Sequence, residues 1–293
     1  MKLGTRNSAL ALIQTEIFIK KLRLHYPDIK CEVVPIVTSG DIHKDKILAE
    51  IGGKGLFIKE LDIALYNGDI DIAIHSLKDM PAILEDGIEI GLIVERDSPN
   101  DVFISYKYKT INEVPKNGII GTSSPRRQAI LKQKYSLNSQ HIRGNITTRL
   151  EKAKNLDGII LGFAALKRLK LIDNNLFFYE IIDVNDMIPA VGQGAICVTY
   201  LQGNNKALDI LKPMTDSDLQ ITIDAERIFM KAMSGDCFTP MSGYATINND
   251  IINLKGMLSL NNKFYEKEII TNRVNYQEAS KQLAKTLLNL IEI

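Results

Sequence analysis

Ile70-Asp71-Ile72-Ala73-Ile74-His75-Ser76-Leu77-Lys78-Asp79-Met80-Pro81 passes from a strand into a polar cluster within a few residues. From Ile70 to Ile74 apolar positions alternate with small or polar ones, which is the period of a strand. The alternation gives way to His75, Ser76, Lys78 and Asp79, and Pro81 blocks continuation as an ordinary strand or helix. Open α/β sheets place their ligands beyond the carboxyl ends of their strands. A solvated loop with a surface Lys–Asp pair would read the same locally. The surrounding chain has to decide between them.

Upstream, Lys2 to Thr5 reads as a short strand, then Arg6-Asn7-Ser8 leads into a helical pattern. Leu10, Ile13, Ile17 and Leu24 share one face of that helix, and Ser8 can cap it. Cys31 to Val37 is a β-branched strand that runs into Thr38-Ser39-Gly40-Asp41. The mixed stretch from Ile42 ends in Gly52-Gly53-Lys54-Gly55, which lacks the spacing and final Ser/Thr of a phosphate-binding loop. It reads as a glycine-hinged lid, with Lys54, Gly55 and Phe57 at its end. Helical periodicity resumes from Phe57 to Tyr66. After Pro81 come strand Ile88–Val94 and the turn-rich segment Glu95–Asp101, a crossover between domains.

The plan then repeats. Gly118–Gly121 is a strand, and Thr122-Ser123-Ser124-Pro125-Arg126-Arg127 opens a helix, with Ser124 as cap and Pro125 in the first turn. His141-Ile142-Arg143-Gly144-Asn145 ends another strand and begins a helix containing Arg149. Gly158–Leu161 takes the place of Ile70–Ile74, followed by a helix carrying Lys167 and Arg168. A second crossover, Asp183–Ala195, precedes strand Ile196–Tyr200. Two crossovers imply two α/β lobes joined by a double hinge with a ligand cleft between them. Residues 1–95 with 195–213 form the first lobe and 96–194 the second. Residues 214–293 form a small α+β domain: a helix over Leu219–Met233, a three-stranded antiparallel meander over Tyr244–Ile270, and a final helix over Ala279–Ile291.

With 293 residues and a net charge of +1, the chain has no bulk electrostatic preference for nucleic acid or anionic membrane. No apolar run reaches membrane-spanning length, and the start has no signal-peptide architecture, so a cytoplasmic protein is expected. Cys31, Cys197 and Cys237 are too few and too far apart for a disulfide framework or a zinc knuckle, and no metal site is expected. Cys31 and Cys197 lie in strand patterns; Cys237 lies in a Gly/Asp/Pro loop where a thiol can react. The chain has 26 Lys and only 10 Arg, so clustered arginines carry information. Five of the ten fall between Arg126 and Arg168.

Arg6 with Ser8, Ser124 with Arg126 and Arg127, Arg143 with Asn145, and then Arg149 and Arg168 all lie at or just beyond strand-to-helix turns. Together they point to a polyanionic organic ligand of several carboxylates, with phosphate as the other possibility. Asp79 is the one acid of the opening cluster. Ionised beside arginines, it would stabilise a ligand that develops positive charge, or exchange a proton with it. Lys78 is an anion contact or the partner of Asp79, and His75 reads as a hydrogen-bonded structural residue.

These motifs resemble the porphobilinogen deaminases, also called hydroxymethylbilane synthases, over essentially the whole chain. The resemblance rests on Gly4-Thr5-Arg6-Asn7-Ser8, Gly52–Phe57, His75–Pro81 and Gly121–Arg127. It continues through Arg143-Gly144-Asn145, Leu166-Lys167-Arg168-Leu169, Pro189–Gly194 and Asp236-Cys237. It implies two periplasmic-binding-protein-like lobes and a small third domain, and a dipyrromethane cofactor joined by a thioether to Cys237. It implies a transferase that is a monomer, acting on porphobilinogen without nucleic-acid or membrane partners. Four porphobilinogen units would be deaminated and added in turn, and a linear tetrapyrrole released by hydrolysis for haem biosynthesis. Asp79 matches the catalytic carboxylate. Arg6, Ser8, Lys78, Thr122, Ser124, Arg126, Arg127, Arg143, Arg149 and Arg168 match positions that hold acetate and propionate groups. The cysteine loop departs from the family pattern: Asp236 precedes the cysteine where glycine is usual, and Met241-Ser242-Gly243 follows Pro240. A second charge beside the thiol would slow or rearrange cofactor loading.

The rival reading is a non-catalytic two-lobed binding protein for polycarboxylate metabolites, against which the Cys237 domain counts. A phosphate-handling transferase ranks behind both, because no Mg²⁺ or nucleotide motif is present.

Overall fold

The computed structural model describes residues 1–42, 55–172, 176–234, 239–260 and 263–292. The lid residue Lys54 and the loop residues Asp236 and Cys237 lie outside them. The chain forms two compact units, Met1–Asp97 with Gly194–Gln220, and Ser98–Gln193 with Ile221–Ile293.

The first unit starts with β1 (Lys2–Arg6), α1 (Ala9–His25), β2 (Glu32–Ile36) and the single turn α2 (Ser39–Ile42). It continues with α3 (Lys59–Tyr66), β3 (Ile72–Ser76) and β4 (Ile88–Arg96). The second unit supplies β5 (Asp101–Ser105), β6 (Ile119–Gly121), α4 (Pro125–Ile130), β7 (Asn138–Gln140) and α5 (Ile146–Ala153). It goes on through β8 (Gly158–Gly162), α6 (Phe163–Arg168) and β9 (Phe178–Ile181). The chain then re-enters the first unit as β10 (Ala195–Leu201) and α7 (Asn205–Leu211). It finishes with α8 (Ser217–Ala232), β11 (Met241–Asn248), β12 (Ile251–Leu260), β13 (Lys263–Asn272) and α9 (Tyr276–Glu292).

In the first unit the strand order is β2-β1-β3-β10-β4. β1 runs parallel to β2 and β3, while β10 is antiparallel to β3 and β4, with Ile196 opposite Ser76 and Thr199 opposite Ala73. The second sheet repeats this plan as β7-β6-β8-β5-β9. β6 is parallel to β7 and β8, and β5 is antiparallel to β8 and β9. In both sheets the antiparallel fourth strand is the one that has just come out of a crossover. β8 is the counterpart of β3, as the repeated plan in the sequence leads one to expect.

Apolar alternation explains the cores. In β5, Phe103 faces a cluster with Ile120, Ile160 and Met187, whereas Val102 and Ile104 face Ile142, Leu150 and Leu161 on the other side. Gly158 is required where it stands, because a Cβ there would lie 2.3 Å from the Phe103 ring. The buried face of α1 differs from the expected stripe. Ala11, Gln14, Thr15, Phe18 and Leu22 point inward, and Leu24 is 83% exposed. Phe18 and Leu22 pack with Leu3, Ile72, Leu92 and Val198. The helix is rotated so that Gln14 can meet Ser76 at the end of β3, Nε2 to Oγ 2.8 Å. Hydrophobic spacing alone does not see that polar contact.

The meander β11–β13 is antiparallel throughout, and Asn249 takes positive φ in its first turn. This region has its own sheet and helices, yet it is tied to the second lobe's return segment. Gly243 N–H donates to Pro189 O at 3.2 Å and Ser242 Oγ to Ile188 O at 2.8 Å. Buried Glu226 of α8 accepts from Gly192 N and Ala245 N, both at 2.8 Å. Met257 of β12 completes the cluster around Phe103 and Ile188.

Candidate functional site

In the first unit, β1 and β3 deliver their carboxyl ends side by side, two parallel strands of one sheet. Arg6 is the last residue of β1, and Ser8 caps α1 by accepting from Ala11 N at 3.3 Å. The Arg6 guanidinium is oriented from two directions. Asp41 accepts from Nη2 at 2.6 Å and Nε at 3.4 Å, and the Phe57 ring lies 4.1 Å below the guanidinium carbon. Thr38 Oγ1 donates to the same Asp41 at 2.7 Å. Burial raises the Asp41 carboxyl, but the Arg6 and Thr38 bonds outweigh it and hold the pKa below the usual carboxylate value. Asp41 and Thr38 follow β2, a position the sequence marks only as a turn.

Beyond Ser76, Leu77–Asp79 makes one 3₁₀ turn. Leu77 anchors it, 1% exposed, while Lys78 is half-buried and Asp79 exposed. The opening stretch therefore ends with its apolar member inside and its carboxylate outside, where a ligand can reach it. His75 is buried, and its Nε2 lies 2.9 Å from Thr199 Oγ1 on β10. Burial first, then Arg6, pull its pKa down to about 3. A ring so hard to protonate is scaffold and not a base at neutral pH.

In the second unit, Thr122 follows β6, Arg143 follows β7, and Arg168 closes the helix after β8. The turns after β6 and β7 are bonded together: Thr122 N–H donates to Gln140 O at 2.9 Å, and Ser123 Oγ donates to Ile142 O. Ser124 stands at the cap position of α4 with Pro125 behind it, but its side chain makes no cap bond; its own N–H donates to Thr122 Oγ1 at 3.2 Å. Asn145 does cap α5, accepting from Thr148 N at 2.9 Å. Arg149 Nε donates to Gly144 O at 2.9 Å, and Gly144 holds φ +113°, which a side chain would resist.

Arg126 and Arg127 are set deeper, 3% and 7% exposed. Both grip Asp101, the first residue of β5: Arg126 Nη2 to Oδ2 at 2.7 Å, and Arg127 Nη2 and Nε to Oδ1 at 2.7 and 3.1 Å. Each also reaches one backbone carbonyl through Nη1, Arg126 to Ile188 O at 2.8 Å and Arg127 to Ile160 O at 2.9 Å. Gln193 Nε2 adds a bond to Asp101 at 2.9 Å and one to Pro99 O at 2.6 Å. Burial pushes the Asp101 carboxyl up, and the two guanidiniums more than reverse this, holding it at about 2. One carboxylate between two guanidiniums leaves the cluster with one surplus positive charge. Arg126 Nε is buried without a hydrogen-bond partner among the described residues, and burial, with Arg127 next door, lowers the guanidinium pKa. The sequence shows Arg126 and Arg127 as a pair at a helix start; it does not show that Asp101 sits between them.

Among the described residues, no group of three or more His, Cys, Asp or Glu is placed to hold a metal ion, and no helix is long and apolar enough to cross a membrane.

Two sheets of one plan, each bringing cations and hydroxyls to the carboxyl ends of parallel strands, define an α/β protein suited to anionic organic ligands. The chain belongs to the porphobilinogen deaminase family, enzymes of the transferase class with hydroxymethylbilane synthase activity. Its residues 1–209 match the family model "Porphobilinogen deaminase, dipyromethane cofactor binding domain", and residues 220–292 match that of the C-terminal domain. It is 39% identical over 289 residues to the porphobilinogen deaminase of Listeria innocua, covering 98% of this chain and 94% of the relative. It is 43% identical over 263 residues to that of Bacillus pumilus, covering 88% and 84%. Among solved structures, it is similar to an ancestral cationic amino acid solute binding protein (TM-score 0.44, 11% identity, 73% of this chain and 87% of that one). A periplasmic binding protein of Salmonella typhimurium with high arginine specificity gives TM-score 0.41 at 12% identity, over 78% and 92%. The donor set fits the dipyrromethane cofactor: its acidic side chains call for guanidinium, ammonium and hydroxyl donors, which are what these strand ends carry.

Proposed function

We propose that this chain condenses four porphobilinogen units in turn and releases a linear tetrapyrrole, with Asp79 as the catalytic group. The observation that carries this reading is the exposed Asp79 carboxylate, held by a short turn at the end of β3 in the same sheet whose neighbouring strand ends in Arg6. When bound through a thioether to Cys237, the dipyrromethane group supplies the covalent primer on which the units are assembled.

The chain's own residues do the rest. Arg6, Ser8, Lys78, Thr122, Ser124, Arg143, Arg149 and Arg168 hold the acetate and propionate side chains by charge-assisted and hydroxyl bonds. Arg126 and Arg127 contribute through charge, since sharing the single carboxylate of Asp101 leaves them with a net positive charge that a ligand carboxylate would complete. Asp79 Oδ stabilises positive charge that develops on the substrate pyrrole and takes up or returns its proton. The lid role is assigned to Lys54, Gly55 and Phe57, and it is supported by the Phe57 ring, which lies against the Arg6 guanidinium. The domain limits we assign are 1–95 with 195–213, 96–194, and 214–293. The enzyme works as a cytoplasmic monomer, and its net charge of +1 gives nucleic acid and membrane no bulk electrostatic hold on it.

Intact mass of the purified protein from a haem-making host tests the reading. A covalent two-pyrrole adduct that disappears in Cys237→Ser is expected. A bare polypeptide mass would instead favour the non-catalytic polycarboxylate-binding protein.

A further inference from the structure

His141 occupies the residue between two hydrogen bonds that tie the second unit's candidate turns together. Its predecessor Gln140 accepts from Thr122 N–H at 2.9 Å, and its successor Ile142 accepts from Ser123 Oγ. Ile142 is buried, while His141 is exposed. The turn that follows is wrapped by cations: Arg149 Nε donates to Gly144 O at 2.9 Å and Lys152 Nζ to Arg143 O at 3.0 Å. Four nitrogen bases, His141, Arg143, Arg149 and Lys152, thus gather at one strand-to-helix turn. The acid on the same helix, Glu151, is 2.7 Å from Lys154.

We propose that His141 is an additional carboxylate-recognition residue, which takes a proton from solvent as acidic side chains of the substrate settle among Arg143, Arg149 and Lys152. The proposal rests on the reading above that Arg143 and Arg149 hold ligand carboxylates. In the free protein, desolvation of the ring and then Arg143, Arg149 and Lys152 lower the imidazole pKa from its ordinary value, which disfavours the imidazolium. The charged groups that act on the ring are all positive. A bound carboxylate reverses the sign of that field and favours the imidazolium, which then donates a hydrogen bond of its own. A group that gains a proton on binding makes binding tighter as pH falls.

The test is a pH series of KM for porphobilinogen with the holoenzyme, together with NMR titration of the His141 ring. The chain has only 4 histidines, and a His141→Gln spectrum assigns the signal. The Asp79→Asn holoenzyme, slow enough to retain added porphobilinogen, gives the liganded titration. The His141 pKa should rise by about one unit on adding porphobilinogen, which corresponds to a KM up to roughly tenfold lower at the acidic end. His141→Gln should flatten that part of the KM profile, and His141→Lys, a permanent cation, should keep KM low at both ends. An unmoved pKa, or a KM profile unchanged in His141→Gln, overturns the proposal. Arg143→Ala and Arg149→Ala separate the two failures. If they raise KM while the His141 pKa stays fixed, only this proposal falls; if they leave KM unchanged, the arginine reading itself has failed.

Discussion

Arg127 places both Nη2 and Nε on a single oxygen of Asp101, at 2.7 and 3.1 Å, leaving the other oxygen to Arg126. The same carboxylate also accepts from Gln193, so the start of β5, the start of α4 and the return segment meet at one fully buried acid. Ion pairs on a surface contribute little, but one this deep is expensive to break, because its partners are left as uncompensated buried charges.

Asp101→Asn should therefore destabilise the second unit by about 3–5 kcal/mol. The native pKa near 2 lies below that of an unfolded aspartate, so the carboxylate contributes stability fully present above roughly pH 4 and lost as pH falls through 2. Denaturant unfolding of the two proteins between neutral pH and pH 3 checks both points. The gap between them should be widest at neutral pH and should narrow with acid.

Asp62 behaves in the opposite sense. It is 4% exposed on α3, its Oδ1 has no hydrogen-bond partner among the described residues, and burial, with Glu85 nearby, raises its pKa to about 6. Stability tied to its neutral form is present below roughly pH 4 and lost as pH rises through 6. Asp62→Asn should raise the melting temperature at pH 7.5 by more than at pH 5. Equal shifts at the two pH values would show that the carboxyl charge is not what costs stability.

Arg6 is a test of shape against charge. Lysine would keep the charge but could neither fork onto Asp41 nor lie flat on Phe57. Arg6→Lys should lower kcat/KM for porphobilinogen by roughly tenfold or more. A variant as active as the parent would mean that Arg6 acts as a point charge only.

Asp79→Asn should leave the fold and the Cys237 adduct in place, since Asp79 is exposed and Leu77 anchors the turn. Turnover should drop by about 10²–10⁴-fold, the usual scale for removing a general acid–base group. Comparing the adduct mass with the rate of tetrapyrrole release separates loss of chemistry from loss of cofactor.

Much of this architecture can be read from the chain because its local signals agree. Strand alternation, Ser8 as a cap, and the matching of Gly158–Leu161 with Ile70–Ile74 all reappear in the structure, whereas Ser124 holds the cap position without a cap bond and Asn145 caps its helix unannounced. Long-range polar partners are what sequence hides. Asp101 reads as part of a turn-rich crossover and Asp41 as a loop residue; only the fold brings them to Arg126, Arg127 and Arg6. An arginine at a helix start looks the same whether its fork points inward or toward a ligand. The rotation of α1 escaped for the same reason, since Gln14 turns inward to reach a residue far along the chain.

The placement of β10 in the first sheet fixes an order of assembly. β3 and β4 are joined only through β10, with Thr199 pairing both Ala73 and Ile90. Chains emerge from the ribosome at roughly 5–20 residues per second, so for some seconds β3 and β4 each carry an unpaired edge. The second sheet, strands β5 to β9, needs nothing beyond Ile181. Of the two five-stranded sheets, the one whose synthesis begins first is therefore the one that closes second, and its open edges are what a nascent-chain chaperone would meet.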